Sequence, residues 1–225
     1  MPRYYPIFLD VSGLLCVVIG GGIVAERKIL GLLDAEARLL VVSPDATQTI
    51  RELSALGKIE YMSCAYRPSH LDGAELVFAA TNVRAVNAQV AADAAALGLR
   101  ITVADAPDDG TFIVPSVVRR GDFCLAISTG GGNPMLSGRI ADELEARFPP
   151  EYADYVELLS AVRDTIKSSV ESITARRAAA VAVLDCEHEI LTHLTAGRKG
   201  EARFAALSAA RRAAGVSEIG RLEDS

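Results

Sequence analysis

The feature that most constrains the fold is a glycine turn between an apolar run and a helical pattern. Residues 14–19 (LLCVVI) are all apolar, and three glycines, Gly20, Gly21 and Gly22, follow directly. Apolar side chains then recur at helical spacing over residues 23–33. A strand, a glycine turn and a helix in this order are typical of the first βα unit of a nucleotide-binding α/β domain.

The alternation of strand and helix patterns continues as far as residue 104. The predicted strands cover residues 38–43, 59–62, 75–80 and 100–104, and the predicted helices cover residues 45–56 and 83–97. Continuous apolar strands suit a parallel sheet that is covered on both faces. We therefore predict an α/β fold whose N-terminal part, residues 1–110, is a Rossmann domain with a parallel sheet.

Past residue 107 the pattern becomes that of a β-hairpin. Two β-type runs, residues 111–118 and 123–128, flank Arg119-Arg120-Gly121-Asp122, whose length suits a hairpin turn. A two-stranded hairpin is too small to bury its own apolar face. We therefore predict that residues 111–150 form a small β-rich dimerisation region in which the hairpin pairs with a second copy of the chain.

The last third of the chain carries helical patterns. Asn133 and Pro134 can open a helix that ends at Pro149. From residue 151 onward, apolar side chains keep the three- and four-residue spacing of an amphipathic helix. This spacing predicts a helical C-terminal domain over residues 151–225.

Composition excludes several classes of partner. The formal net charge of −6 disfavours a general affinity for nucleic acid or for an anionic membrane surface. The four cysteines have no metal-ligand or disulfide-framework spacing, so we expect a reducing, cytoplasmic setting and no protein-held metal site. The apolar run before the glycines is too short for a membrane span or a signal peptide.

The glycine turn fits the dinucleotide-binding pattern G-x-G-x-x-G/A. Gly20 permits the tight turn, Gly22 lets the backbone approach a pyrophosphate, and Ala25 allows the helix to pack closely on the strand. Unpaired N–H groups where the helix begins, at Ile23 and Val24, would bind the phosphates. The alternative is a glycine turn that binds nothing.

Two further loops are predicted to contact the cofactor. Ser43, Pro44 and Asp45 end the second strand, where a polar residue usually binds the ribose hydroxyls, and the alternative is a solvent-facing helix cap. No Arg or Lys stands beside them to neutralise a 2′-phosphate, which favours NAD over NADP. Thr81 follows the fourth strand and either contacts the cofactor or caps the next helix.

Candidate residues for catalysis and substrate binding come from later loops. Asp105, at the end of the fifth strand, could accept a proton, or it could be a turn aspartate ahead of a proline. A second anion-binding loop is predicted at Ser128, Thr129 and Gly130, and a basic pair that suits a polycarboxylate is predicted at Arg119 and Arg120. A flexible loop and a solvated turn are the respective alternatives.

Taken in order, these motifs resemble the precorrin-2 dehydrogenase/sirohydrochlorin ferrochelatase family, whose members are free-standing or form the N-terminal half of siroheme synthase. The segments that carry the resemblance lie within residues 4–150 and are YPIF (5–8), VVIGGGIVAERK (17–28), AATN (79–82), VADAP (103–107), FIVPS (112–116) and AISTGG (126–131). The pattern departs from the siroheme synthase form at Thr129, which replaces a serine, and we expect no methyltransferase module after residue 150.

The resemblance implies a homodimer that oxidises the tetrapyrrole precorrin-2 to sirohydrochlorin, with NAD accepting a hydride and Asp105 as the principal catalytic residue. The tetrapyrrole would lie near the cofactor and the dimer interface. Whether the chain also inserts ferrous or cobaltous ion stays open. Two other functions also stay open: an NAD-binding regulatory protein without turnover, and a dehydrogenase of another small substrate.

Overall fold

The structure is a computed structural model that describes residues 4–216 and Ile219. The described residues form two compact units. The first comprises residues 4–114 and Thr129–Asn133, and the second comprises the remainder. The predicted domain limits at residues 1 and 225 lie outside the described residues.

The first unit is built on a five-stranded parallel sheet with the order β3-β2-β1-β4-β5. Its strands are β1 (Leu15–Ile19), β2 (Arg38–Val42), β3 (Glu60–Met62), β4 (Leu76–Ala79) and β5 (Arg100–Val103). Its helices are α1 (Ile23–Asp34), α2 (Gln48–Ala55) and α3 (Arg84–Ala96), with 3-10 turns at Pro68–Leu71 and Pro107–Asp109. The predicted α/β fold with a parallel sheet is confirmed.

The central strands are apolar throughout because both faces of the sheet are covered. Val18 and Phe78 pack in one cluster with Ile29 of α1. Their neighbours along the strands, Val17 and Val77, pack in a second cluster that includes residues of α3. Side chains alternate between the two faces of a strand, so a strand buried on both sides cannot alternate with polar residues.

The strand order places a crevice at the carboxyl ends of β1 and β4. The chain order of the strands reverses between these two neighbours, and open parallel sheets bind ligands outside the strand ends at such a point. The loop that begins at Gly20 and the loop that begins at Ala80 therefore lie side by side.

The second unit consists of a hairpin and five helices. The hairpin strands are β6 (Ser116–Arg120) and β7 (Phe123–Ile127), and they pair antiparallel. The helices are α4 (Pro134–Arg147), α5 (Tyr152–Ser169), α6 (Ile173–Asp185), α7 (Glu187–Thr195) and α8 (Lys199–Ala214). The predicted helical C-terminal region is confirmed, and none of the described helices is long and apolar enough to cross a membrane.

The division of the chain differs from the predicted regions 1–110, 111–150 and 151–225. The hairpin is not separate from the helices after residue 150, because the Tyr152 ring packs against Phe123 at 5.4 Å and against Phe148 at 5.0 Å between centroids. This aromatic contact joins β7 to the helices. The described chain therefore forms two compact units where three regions were predicted.

The predicted bounds of the first hairpin strand, residues 111–118, are also wrong. The Thr111 backbone N–H donates to the Ile101 carbonyl at 2.7 Å, and its hydroxyl accepts from the Ile101 N–H at 2.9 Å, so this residue belongs with β5. The strand starts at Ser116 and runs through Arg120, leaving Gly121 and Asp122 as the turn. Gly121 has a φ of 56°, which a two-residue hairpin turn favours.

Candidate functional site

The glycine turn after β1 is held by two neighbouring loops. A Cβ atom on Gly20 would overlap the Ala80 carbonyl group, whose carbon would lie 2.7 Å away, and the φ of Gly20 is 128°. A Cβ on Gly21 would overlap the Asp45 carbonyl oxygen and lie 2.8 Å from the Ala46 Cα. Both positions require glycine because other backbone segments occupy the space of a side chain.

Gly22 is different, because the space around it is open. A Cβ at this position would meet no atom within 4 Å, and the backbone has an ordinary φ of −85°. Gly22 is the N-cap of α1, so the first N–H groups of that helix have no partner within the helix. The arrangement leaves open backbone and unpaired donors, which suit the approach of a phosphate group.

The loop after β2 presents Asp45 beside this turn. The Tyr61 hydroxyl donates to the Ser43 carbonyl at 3.0 Å, and the Ser63 hydroxyl donates to the Pro44 carbonyl at 3.0 Å. These bonds fix the backbone of the loop, while the Asp45 side chain is exposed. The exposed carboxylate can therefore accept hydrogen bonds from a ligand bound at the glycine turn.

The loop after β4 is organised by one buried amide, that of Asn87. Its Oδ1 accepts from the Thr81 N–H at 3.1 Å and from the Thr81 hydroxyl at 2.8 Å. Its Nδ2 donates to the Thr81 carbonyl at 3.0 Å and to Oδ1 of Asp105 at 2.8 Å. Asn87 is fully buried, and these bonds use both donors and both acceptor sites of the amide.

Asp105 has a different partner on each carboxylate oxygen. Oδ1 accepts from Asn87, whereas Oδ2 lies 3.4 Å from Nη1 of Arg84. The other terminal nitrogen of Arg84 donates to Oδ2 of Asp109 at 3.1 Å. The carboxylate is therefore oriented from the buried side and paired with a cation on the exposed side.

These partners stabilise the ionised form of Asp105. Burial favours the neutral form, but the hydrogen bonds from Asn87, from its own backbone and from Arg84, together with the Arg84 charge, outweigh it. The pKa of the Asp105 carboxyl is consequently lowered from its ordinary value. At neutral pH the group is a carboxylate that can accept a proton.

Comparison with known proteins shows which proteins this chain is similar to. A family model described as "Putative NAD(P)-binding" matches residues 7–116. The siroheme synthases of Chromobacterium violaceum and Nitrosococcus oceani are 36% identical over 175 residues and 34% identical over 220 residues, or 78% and 98% of this chain. The solved structure of SirC, precorrin-2 dehydrogenase, is 26% identical and matches 93% of this chain and 100% of its own, with a TM-score of 0.66.

These similarities support the precorrin-2 dehydrogenase family for this chain. This confirms the resemblance that the sequence motifs indicated. The chain spans less than half the length of the curated relatives named above, since it covers 37% and 46% of those two siroheme synthases.

The first unit brings together most of the residues that were predicted to bind the cofactor or to act in catalysis. Around the crevice lie Gly20, Gly22, Ile23, Val24, Ser43, Pro44, Asp45, Thr81 and Asp105. The N-cap of α3 is Val83 and not Thr81. The Thr81 hydroxyl donates to Oδ1 of Asn87 and accepts from the Val83 N–H. Thr129 and Gly130 belong to the same unit, in a segment where a Cβ on Gly131 would lie 3.9 Å from Pro107.

The basic pair lies beside the hairpin turn and not within it. Arg119 and Arg120 are the last two residues of β6 in the second unit, on opposite faces of the strand, and Arg120 directly precedes the turn. Nε of Arg120 donates to the Phe148 carbonyl at 2.9 Å, and Nη1 donates to the Arg119 carbonyl at 2.9 Å. Arg120 thus binds backbone carbonyls of its own unit. Ser128, directly after β7, also belongs to the second unit.

Three residues of the site were not predicted from the sequence: Gly21, Arg84 and Asn87. Gly21 has no assigned place in the dinucleotide pattern, yet its missing side chain admits the Asp45 loop. Asn87 lies on the face of α3 that also carries the buried Val90 and Ala94, so a polar residue on an apolar face was the available signal. Arg84 gave no signal, because an exposed arginine in the first turn of a helix is ordinary.

No group of three or more His, Cys, Asp or Glu side chains that could hold a metal ion occurs among the described residues.

Gly21 and Gly22 form a matched pair for a test of this geometry. Gly21→Ala should lower the free energy of unfolding by about 1–3 kcal/mol, because the new Cβ must displace the backbone of the Asp45 loop. Gly22→Ala should cost less than about 1 kcal/mol, since only the N-cap preference changes. Urea denaturation followed by circular dichroism would compare them. Equal losses of unfolding free energy in the two variants would show that the Asp45 loop moves away from the new Cβ without cost.

Proposed function

We propose that this chain oxidises precorrin-2 to sirohydrochlorin, with NAD as the hydride acceptor. The observation that carries the proposal is the position of the Asp105 carboxylate. Asn87 binds this carboxylate at the same sheet edge as the glycine turn, where the strand order places the crevice. The family match supports the same reaction, because SirC is named a precorrin-2 dehydrogenase and the longer relatives are named siroheme synthases.

The residues of the crevice fit NAD. The open space at Gly22 and the unpaired N–H groups at the start of α1 suit the pyrophosphate, while the exposed Asp45 carboxylate suits the ribose hydroxyls. A carboxylate at this position favours NAD over NADP because it would repel a 2′-phosphate. When bound, NAD supplies the hydride-accepting nicotinamide.

The protein groups supply orientation and a base. Asn87 fixes the direction of the Asp105 carboxylate through a bond of 2.8 Å and fixes the Thr81 loop beside it. Oxidation of precorrin-2 removes a hydride and a proton, and Asp105 accepts that proton. The pKa of the Asp105 carboxyl is lowered, so at neutral pH the group is ionised and has a lone pair to accept a proton.

The proposal includes a homodimer and a cytoplasmic location. One face of the hairpin is covered within the unit, where Val118 is fully buried, whereas Val117 and Ala126 pair on the other face and are exposed. A second copy of the chain would cover that exposed face. The four free cysteines are consistent with a reducing compartment.

Gly22→Asp tests the cofactor site. The substitution places a side chain and a negative charge in the open space beside the N-terminus of α1, so NAD affinity should fall at least about 100-fold, to the limit of detection by calorimetry. The fold should survive, because nothing lies within 4 Å of the new Cβ. Near wild-type NAD affinity in the folded variant would rule out the glycine turn as the phosphate site.

Asp105→Asn tests the proposed base. The amide keeps the shape of the carboxylate but cannot accept a proton at neutral pH, so NADH formation from precorrin-2 should fall about 100-fold or more while NAD binding is kept. Gly22→Asp is the matched control, because it should lose turnover together with NAD binding. Wild-type turnover by folded Asp105→Asn would reduce Asp105 to a turn residue.

The same proteins should also be given sirohydrochlorin with ferrous or cobaltous ion, since metal insertion needs a base but no NAD. Tight NAD binding by the wild-type chain with no NADH formation from precorrin-2 would favour a regulatory protein over an enzyme. Oxidation of a different small molecule in place of precorrin-2 would favour the alternative that the chain is a dehydrogenase of another small substrate.

Val117→Glu tests the homodimer. A charge on the exposed face of the hairpin should weaken self-association at least about tenfold in sedimentation velocity, because a carboxylate would have to be buried at the interface. Val181→Glu is the control, since Val181 is exposed on α6 and should leave association unchanged. A wild-type chain that is monomeric and active at assay concentration would refute the dimer.

A further inference from the structure

Arg84 bridges two carboxylates at the edge of the crevice. Its guanidinium lies 3.4 Å from Oδ2 of Asp105 through Nη1 and 3.1 Å from Oδ2 of Asp109 through Nη2. Its side chain is 59% exposed, and those of the two aspartates are 39% and 45% exposed. A long side chain this exposed can turn away from its partners at little cost, since surface ion pairs contribute little net free energy.

The two partners of Asp105 therefore differ in how firmly they hold it. Asn87 is fully buried, and its amide cannot turn without breaking the bonds to Thr81. Arg84 comes from the first turn of the same helix, but its guanidinium faces solvent. The Oδ1 side of the carboxylate is thus fixed, and the Oδ2 side is held by a movable cation.

In this arrangement the carboxylate is oriented but not free to react. A proton that arrives at Oδ2 must compete with the guanidinium for the oxygen lone pairs, and the positive charge opposes protonation. Around Asp105 the charged groups are Arg84 of α3 and Asp109 of the 3-10 turn, in which Asp108 also lies. Departure of Arg84 would remove this cation from Asp105 and would raise the affinity of the carboxylate for a proton.

We propose that Arg84 binds a carboxylate of the substrate and leaves Asp105 when it does so, which frees Oδ2 of Asp105 to accept the proton. This role rests on the proposed function, in which the substrate is a tetrapyrrole polycarboxylate and Asp105 is the base. A guanidinium suits the task because its fork of N–H donors binds one carboxylate as readily as another. Substrate binding and activation of the base are thereby coupled at one side chain.

The test measures binding of uroporphyrin, a polycarboxylate porphyrin that takes no part in the redox step, by porphyrin fluorescence at neutral pH. Arg84→Met should weaken binding roughly 10- to 100-fold, because a charge-assisted bond is lost. Arg100→Met is the control, since Arg100 is an exposed arginine at the opposite end of β5 and should leave the affinity unchanged.

A double-mutant cycle separates displacement from simple attraction. Asp105→Asn should tighten uroporphyrin binding, because Arg84 no longer has to leave a carboxylate. In the Arg84→Met background the same change should have a smaller effect, limited to the removal of one negative charge. Equal effects of Asp105→Asn in both backgrounds would overturn the proposed competition between Asp105 and the ligand.

Turnover supplies the second readout. If Arg84 has left Asp105 in the substrate complex, Arg84→Met should raise KM for precorrin-2 with little change in kcat. A fall in kcat at unchanged KM would overturn the release of Asp105 by substrate. Unchanged uroporphyrin affinity in Arg84→Met, with turnover abolished in Asp105→Asn, would overturn the role of Arg84 and leave the proposed function standing. If Asp105→Asn tightens uroporphyrin binding more in the wild-type background than in Arg84→Met, but keeps full turnover, then Asp105 is not the base.

Discussion

The side-chain amide of Asn87 ties the loop after β4 to the loop after β5 from a fully buried position. A buried amide is costly unless each donor and acceptor has a partner, and here Thr81 and Asp105 supply all of them. The same bonds that satisfy Asn87 therefore fix the backbone at Thr81 and the direction of the Asp105 carboxylate. The crevice keeps its shape because losing any one of these partners would strand a polar group in the core.

The glycine turn depends on a different constraint, that of space. The turn lies so close to the backbone at Ala80 and at Asp45 that side chains at Gly20 and Gly21 would overlap these segments. Three loops are thus packed on one another at the carboxyl ends of β1, β2 and β4. Of the three glycines in the turn, Gly22 alone has open space where a side chain would lie. A ligand can therefore approach the backbone of the turn at Gly22.

The hairpin illustrates where local pattern fails. The apolar residues from Thr111 onward have strand character, but Thr111 bonds to Ile101 and leaves the hairpin to begin at Ser116. Arg120 then falls inside the strand, where it binds the Phe148 carbonyl. A polar tetrapeptide and a strand end have the same local pattern, and the pairing of Arg120 with Phe123 across the hairpin leaves only Gly121 and Asp122 as the turn.

By itself, the sequence determined the parallel α/β domain, the glycine turn, the crevice residues Thr81 and Asp105 and the helical C-terminal region. Each of these rests on interactions local in the chain, namely the apolar periodicity of strands and helices and the backbone freedom of glycine. Only the tertiary structure decided the roles of Gly21, Arg84 and Asn87 and the extent of the hairpin. Their partners, such as Asp45 for Gly21 and Asp105 for Asn87, lie far away in the chain, and no local pattern encodes a contact between distant segments.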